Sequence, residues 1–407
     1  MTKTVVIGAG AAGIAAARAL HDAGRDVLLL EASDRLGGRA HSVPLTLPDG
    51  QRVVADRGCG WLHSARRNPW TDIAERGGFT VDRSSPRWRE QWRDLGYPPT
   101  EQEAFGRAWQ RWEAAAHAAL DGPDRPLSDF IAPDDPARPM IDAISGYANG
   151  AALSRVSLHD WAAYEDAATE DNWAVREGYG TLVAHHAAGV PLRLSTPVTR
   201  IDHRGRTIRV ETPAGTIPAD HVIVAVPTTV LACGDIAFDP PLPAKRDAAA
   251  ALPLGLADKV FLHVADPPWP AHSHLIGDPH SARTASYRLS PFGWPVVEAF
   301  FGGDTAEALE EDGAAADFAI GELLRLLGSD WRPRLTPLGA TRWRHEPFTG
   351  GSYSHARVGH AAARAILAEP VDGRILFAGE ACSRTDFSTA HGAYATGMAA
   401  AEVIIAR

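Results

Sequence analysis

The chain has 407 residues, with 50 Asp and Glu against 40 Lys and Arg for a net charge of −10, and 45% hydrophobic residues. That length supports two domains with well-formed cores and excludes a small disulfide-stapled scaffold. The acidic balance, with no Lys/Arg-rich run, speaks against a phosphate-binding face and so against a nucleic-acid partner.

Cys59, Cys233 and Cys382 have neither metal-ligand spacing nor an even count, so no metal site and no disulfide framework is expected. No apolar run approaches the ~20 residues of a membrane span. The start "MTKTVVIGAG" leaves no room for a signal peptide. A cytoplasmic protein without a membrane partner is expected.

In chain order, Thr4 to Ile7 is a β-branched run, "GAGAAG" a glycine turn, Ala11 to Ala23 an alanine-rich helix ending at Gly24, and Val27 to Leu30 a second apolar run. Together they read as a βαβ unit with a right-handed crossover, the opening half of a Rossmann-type fold. Gly8, Gly10 and Gly13 supply the tight turn, close approach of backbone to a pyrophosphate, and close helix-to-strand packing. Glu31 closes the second run, where a carboxylate accepts ribose hydroxyls.

Residues 61–180 change character. Eight of the twelve tryptophans fall here, among proline-rich joints such as "YPPT" and "APDDPARP". They read either as helices packed by aromatics or as a cap lining a pocket, and spacing does not separate the two. From Val190 the β signal returns in "PLRLSTPVTRID" and "TIRVETPAG", followed by the buried-strand run Val222 to Val226. "GLADKVFLHV" is a strand with Lys259 set into its start, Asp317 to Leu327 a helix, Ile375 to Glu380 a buried strand, and Gly392 to Ile405 a helix. Nucleotide-type segments therefore occur at both ends and in the middle. The expected fold is α/β with an α+β cap: a dinucleotide domain from residues 1–75, 181–262 and 352–407, and a substrate-binding domain from 76–180 and 263–351.

After Glu31 the chain continues "EASDRLGGRA", and a guanidinium at Arg39 can reach a pyrophosphate at the helix start. Here the sequence resembles the flavin-dependent amine oxidases, the family of monoamine and polyamine oxidases. It departs at Ser33, where many members have a second arginine. The resemblance extends through "DRGCGWLHSARRNP", "REGYGTLV", "STPVTRI", "ADHVIVAVP", "FDPPLP" and "LFAGEACSRTDFSTAHGAYATGMAAAEVI", in family order over nearly the whole chain. It implies FAD as cofactor. Ala12, Ala32, Gly38 and Arg39 join Gly8, Gly10, Gly13 and Glu31 around the dinucleotide, with Val198 near adenine. Gly60, Trp61 and Leu62 pass the flavin ring, and Gly379, Glu380, Thr389 and Ala390 also contact the flavin. Gly392 at a helix start is expected to offer free N–H groups to the flavin carbonyls.

On the reacting side, the resemblance matches Lys259 to the lysine that holds a water against flavin N5, in an apolar site that disfavours its charge. Tyr353 matches one member of the aromatic pair flanking the amine in monoamine oxidases, and Thr389 stands where the second would be. His63 occupies a position that polyamine oxidases place in the catalytic tunnel, suited to hold or deprotonate the amine. Ser352 replaces the cysteine that attaches flavin in monoamine oxidases, so the FAD is expected to be non-covalent. Asp166, Glu170 and Asp171 are candidates for an acidic mouth that attracts cations, or for a solvated helix face.

The implied reaction is oxidation of an amine C–N bond to an imine, which hydrolyses, with O2 reoxidising the flavin to give H2O2. The partners are then a small-molecule amine and O2, on a monomer or homodimer. An L-amino acid oxidase of the same fold would need an arginine for the substrate carboxylate, and Arg66, Arg67, Arg89 and Arg344 are available. A natural-product tailoring oxidase or desaturase, and a flavoprotein without catalysis, are the other readings.

Overall fold

The computed structural model describes residues 3–84 and 86–407. Its first sheet has five strands in the order Ile375–Phe377, His221–Val224, Lys3–Ile7, Asp26–Leu30 and Leu192–Arg193, all parallel. A strand presents alternate residues to opposite faces. Val6 and Leu29 accordingly enter one apolar cluster, while Val5, Ile7 and Leu30 enter another on the far side. Burial on both faces is why these strands read as continuous apolar runs.

The first face is covered by the helices Ala11–Asp22 and Ala390–Ile405, which come from opposite ends of the chain. Their small residues let the backbones approach: a Cβ at Gly397 would stand 2.1 Å from the Ala12 carbonyl oxygen. The second face is covered by a four-stranded sheet formed by residues 200–219 and 237–239 and by the helix Pro243–Ala251.

The second five-stranded sheet orders Ser273–Ile276, Ser286–Leu289, Val296–Gly302, Ala257–Val264 and Leu335–Ala340, with antiparallel pairing throughout. Val260, Leu262, Val297, Ala299 and Tyr287 pack on one face against the helix Ala315–Leu327. The opposite face carries the other parity. Lys259 pairs with Phe300, Phe261 with Glu298, and Glu298 with Arg288. This pairing corrects the expected domain boundary at 262/263: the whole strand Ala257–Val264 belongs with the strands that follow it, because its ladder partners are Val296–Gly302 and Leu335–Ala340.

Between these parts lie the helices Pro99–His117, Arg138–Asn149 and Leu158–Glu165. Trp112 and Trp161, ring centroids 5.2 Å apart, are buried in this layer's own core, with Trp109 packed on Trp112 at 5.0 Å. For these three the packing reading holds. Trp61 and Trp88 instead meet edge to face at 5.2 Å outside that core.

One ion pair ties the helical layer to the C-terminal segment. Arg364 is 1% exposed and forks onto Asp160 through Nε at 2.6 Å and Nη2 at 2.8 Å. Asp160 also accepts from the Ala356 N–H, and Arg364 Nη1 donates to Ser354 Oγ. Removing one partner of a buried pair leaves an uncompensated charge, which costs about 3–5 kcal/mol. Arg364→Met should lower the unfolding free energy by about that amount in urea titration, and the double variant with Asp160→Leu should recover part of the loss.

Candidate active site

The glycine turn follows the strand Lys3–Ile7 and opens the helix Ala11–Asp22. Gly8 has φ +98°, and a Cβ there would meet the Ala225 carbonyl oxygen at 2.4 Å; a Cβ at Gly13 would meet the Gly8 carbonyl oxygen at 1.8 Å. Gly10 is the helix N-cap and has no side chain to satisfy the first turn, which includes Ala12. The orphan N–H groups there are donors for an anion. Gly10 faces Gly37 and Gly38, since a Cβ at Gly38 would touch the Gly10 Cα at 3.3 Å, and a Cβ at Gly379 would stand in open space. Bare backbone therefore lines the groove at this uncapped helix start.

Glu31 is buried at one end of this groove. Its carboxylate accepts from the Ala9 N–H at 2.7 Å and from the Ser33 N–H and hydroxyl at 2.9 and 2.8 Å. Ala32 lies between these partners. The Ser195 and Thr196 N–H groups donate to the Ser33 and Glu31 carbonyls, which brings the turn ending at Val198 alongside Glu31. Arg39 Nη1 donates to Glu380 Oε1 at 2.8 Å and to the Ser352 carbonyl at 2.6 Å. Through Nη1 it therefore fastens the early loop to the C-terminal segment.

Two expectations at the C-terminal helix are corrected. Gly392 offers no free N–H, because Thr389 caps the helix and accepts from it at 3.0 Å. The Thr389 hydroxyl donates in turn to the Asp386 carbonyl at 2.6 Å, so the side chain is committed to the cap and not to a substrate amine. The donors left for a flavin carbonyl in this first turn are the N–H groups of Ala390 and His391. Trp70, fully buried, holds the turn from behind by donating Nε1–H to the Ala390 carbonyl at 3.0 Å.

Lys259 is buried, with 6% exposure, and points from the polar face of the second sheet toward Gly60. A Cβ at Gly60 would lie 3.3 Å from Lys259 Nζ. The apolar surroundings expected for Lys259 are not found: Nζ stands 2.9 Å from Glu298 Oε1 and donates to the Asp56 carbonyl at 2.9 Å. Asp56 itself caps the helix Tyr179–His185 by accepting from the Tyr179 and Gly180 N–H groups and the Ser42 hydroxyl. Burial nevertheless pushes its carboxyl above the ordinary carboxylate value, with Ser42 and Lys259 opposing.

Trp61 and Leu62 continue this segment. Leu62 is sealed against Trp173 by reciprocal backbone bonds, while Trp61 lies under the Arg288 guanidinium, 4.3 Å from its ring centroid. Arg288 was not singled out from sequence. It is one polar residue in the strand Ser286–Leu289, and only the pairing to Glu298 reveals its place. Its Nε and Nη2 are buried without a hydrogen-bond partner among the described residues. The Tyr353 hydroxyl donates to the Tyr147 carbonyl, which fixes the ring's orientation. Ser352 exchanges two hydrogen bonds with Ala257, so its hydroxyl is occupied by the strand that bears Lys259.

The acidic mouth is also corrected, because each carboxylate has a cationic or histidine partner: Asp166 with His117, Glu170 with Arg89, and Asp171 with Arg66. Arg67 is likewise held by Asp386, and Arg344 by Glu307. The four arginines available for a substrate carboxylate are thus already paired.

His63 Nδ1 lies 2.6 Å from Asn172 Oδ1, and its ring is 6.2 Å from Trp88. Burial pulls its pKa down to about 4, with the Asn172 contact opposing. The folded chain therefore keeps His63 neutral, Nδ1–H toward Asn172 and Nε2 as an acceptor. An unfolded histidine titrates near 6.5. The stability contributed by neutral His63 is complete above about 6.5 and is lost as pH falls toward 4. His63→Gln should flatten that part of a plot of Tm against pH.

Residues 11–127 and 134–405 match the family described as flavin containing amine oxidoreductase. The chain is 31% identical to polyamine oxidase 2 of Arabidopsis thaliana, covering 98% of this chain and 87% of that protein. It is 30% identical to polyamine oxidase 3 of Oryza sativa subsp. japonica over 98% and 88% of the two chains. Lysine-specific histone demethylase 1B of Mus musculus is 29% identical over 99% of this chain and 53% of its own length. With a family match over nearly its full length, this chain belongs to the flavin-containing amine oxidoreductases and uses FAD.

Proposed function

We propose that the chain oxidises a small-molecule amine at the carbon next to nitrogen, with O2 as the final electron acceptor and H2O2 as a product. The observation that supports this most directly is the placement of Lys259, whose ammonium lies against Gly60 in the segment that borders the cofactor groove. Bound FAD would supply the chemistry by accepting a hydride from that carbon. The residues present suit it: the uncapped helix start at Gly10 would hold the pyrophosphate, and Glu31 would accept from a ribose hydroxyl.

The remaining work falls to the protein. Ala390 and His391 supply first-turn N–H groups that would hold a flavin carbonyl and favour negative charge there. Glu298 and the Asp56 carbonyl hold Lys259 at one angle, which fixes whatever its remaining N–H contacts. Neutral His63 presents Nε2 as an acceptor to the amine nitrogen beside Trp61 and Trp88, whose faces favour a cation on arrival.

Anaerobic mixing of the holoenzyme with a panel of amines, polyamines and amino acids should bleach the flavin band with at least one member; a panel that bleaches nothing refutes amine oxidation and leaves a flavoprotein without this catalysis. Lys259→Met should slow flavin reduction or reoxidation at least ten-fold by stopped flow with FAD still bound, because it removes the ammonium without changing the chain's reach. Acid precipitation should release yellow chromophore to the supernatant, since Ser352 has no thiol and its hydroxyl is engaged with Ala257. Flavin retained in the pellet would contradict non-covalent binding.

A further inference from the structure

Beneath Lys259, on the opposite face of the second sheet, two acids are buried together. Asp258 is 0% and Glu310 3% exposed. Asp258 Oδ1 accepts from the Thr341 hydroxyl at 2.6 Å and from the Trp343 N–H at 3.2 Å, while Glu310 Oε1 accepts from the next N–H, that of Arg344, at 3.1 Å. Among the described residues, the second oxygens, Asp258 Oδ2 and Glu310 Oε2, are buried without a hydrogen bond, with His345 Nε2 3.5 Å from Glu310 Oε2. Two carboxylates side by side in low dielectric repel strongly, and one proton between them removes the repulsion and satisfies both orphaned oxygens.

The pair is wired to Lys259 by two routes. Thr341 Oγ1, which donates to Asp258, accepts from the Lys259 N–H at 2.8 Å, and the Thr341 N–H returns to the Lys259 carbonyl at 2.9 Å. Trp343, held by Asp258, donates Nε1–H to the Arg57 carbonyl at 3.1 Å, one residue from the Asp56 carbonyl that receives Lys259 Nζ. Both the main chain of Lys259 and the carbonyl that aims its ammonium therefore hang on Asp258.

We propose that Asp258 and Glu310 share a single proton, and that this acid–carboxylate pair positions Lys259 against the flavin. The positioning half rests on the reading of Lys259 given above; the shared proton does not. Neither acid is a catalytic residue, since neither touches the groove. The charged groups around the pair are few: Arg342, whose guanidinium meets the Glu310 carbonyl, His345, whose Nε2 is 3.5 Å from Glu310 Oε2, and Arg344, whose side chain turns away to Glu307. Burial and the Glu310 neighbour raise the Asp258 pKa to about 8. Because the folded pKa lies above the unfolded one, the stability the proton provides is complete in acid and is lost as pH rises through about 8.

The test uses holoenzyme between pH 6 and 9. In wild type, the unfolding free energy from urea titration should fall from pH 6 to about 8 and level off above it, and the absorption spectrum of bound FAD should shift around pH 8 as Lys259 loosens. Asp258→Asn and Glu310→Gln mimic the protonated partner, so each should flatten both curves. A wild-type stability curve without this fall, or a fall unchanged in both amide variants, overturns the shared proton. If the amide variants flatten the stability curve but leave the spectral shift intact, the positioning role is overturned and the shared proton stands. Lys259→Met separates the remaining dependence: a spectrum identical to wild type at every pH means that Lys259 does not report to the flavin, whatever the acids do.

Discussion

The structure depends on a buried carboxylate where distant parts of the chain meet. Glu380 is 5% exposed and accepts from Arg39, from the Ser354 hydroxyl and N–H, and from the Ser388 N–H. Ser354 also receives Arg364, which forks onto Asp160 in the helical layer. Burial alone would raise the Glu380 pKa, but Arg39 and Arg364 outweigh it and hold the carboxyl below its ordinary value. An early loop, the C-terminal segment and a helix from the middle of the chain thus share one alternating set of charges. A domain assembled from separated pieces needs such a fastening, because no single continuous segment carries its core.

That fastening leaves the second sheet free to specialise its two faces. One parity, Val260, Leu262, Val297 and Tyr287, supplies an apolar core against a helix. The other places Lys259, Glu298 and Arg288 side by side across three strands. Asp258 breaks the rule, since it points into the core side as an acid; Glu310, Thr341 and Trp343 are there to receive it. Period-two geometry therefore turns one short stretch, Asp258–Lys259, into a buried support below the sheet and a cofactor-facing cation above it.

The cofactor half was largely legible in the sequence because its physics is local. Gly8 is required by its φ of +98° and Gly13 by the Gly8 carbonyl oxygen of the same turn, and the apolar runs around them are short parallel strands covered on both faces. The reacting half was less legible. Lys259 could be matched to a family position, yet its partner Glu298 lies 39 residues further on and is recognisable only through the antiparallel register. Thr389 illustrates the opposite error: its alignment suggested a place beside the substrate, whereas a threonine three residues before a glycine N–H at a helix start is a capping residue.

By itself, the sequence determined the glycine turn with its strand and helix, the acidic residue closing the second strand, and membership in a fold whose motifs recur in order. These are set by φ/ψ preference, Cβ clearance and period, all of which act over a few residues. Tertiary structure alone decided which charges are spent on one another. Arg39 was claimed by Glu380, Lys259 by Glu298, Asp171 by Arg66, and Arg288 was left with an unpartnered edge. Ion-pair choice depends on which side chains a fold brings within a few ångströms and on how much water remains between them, and neither quantity is written in linear order.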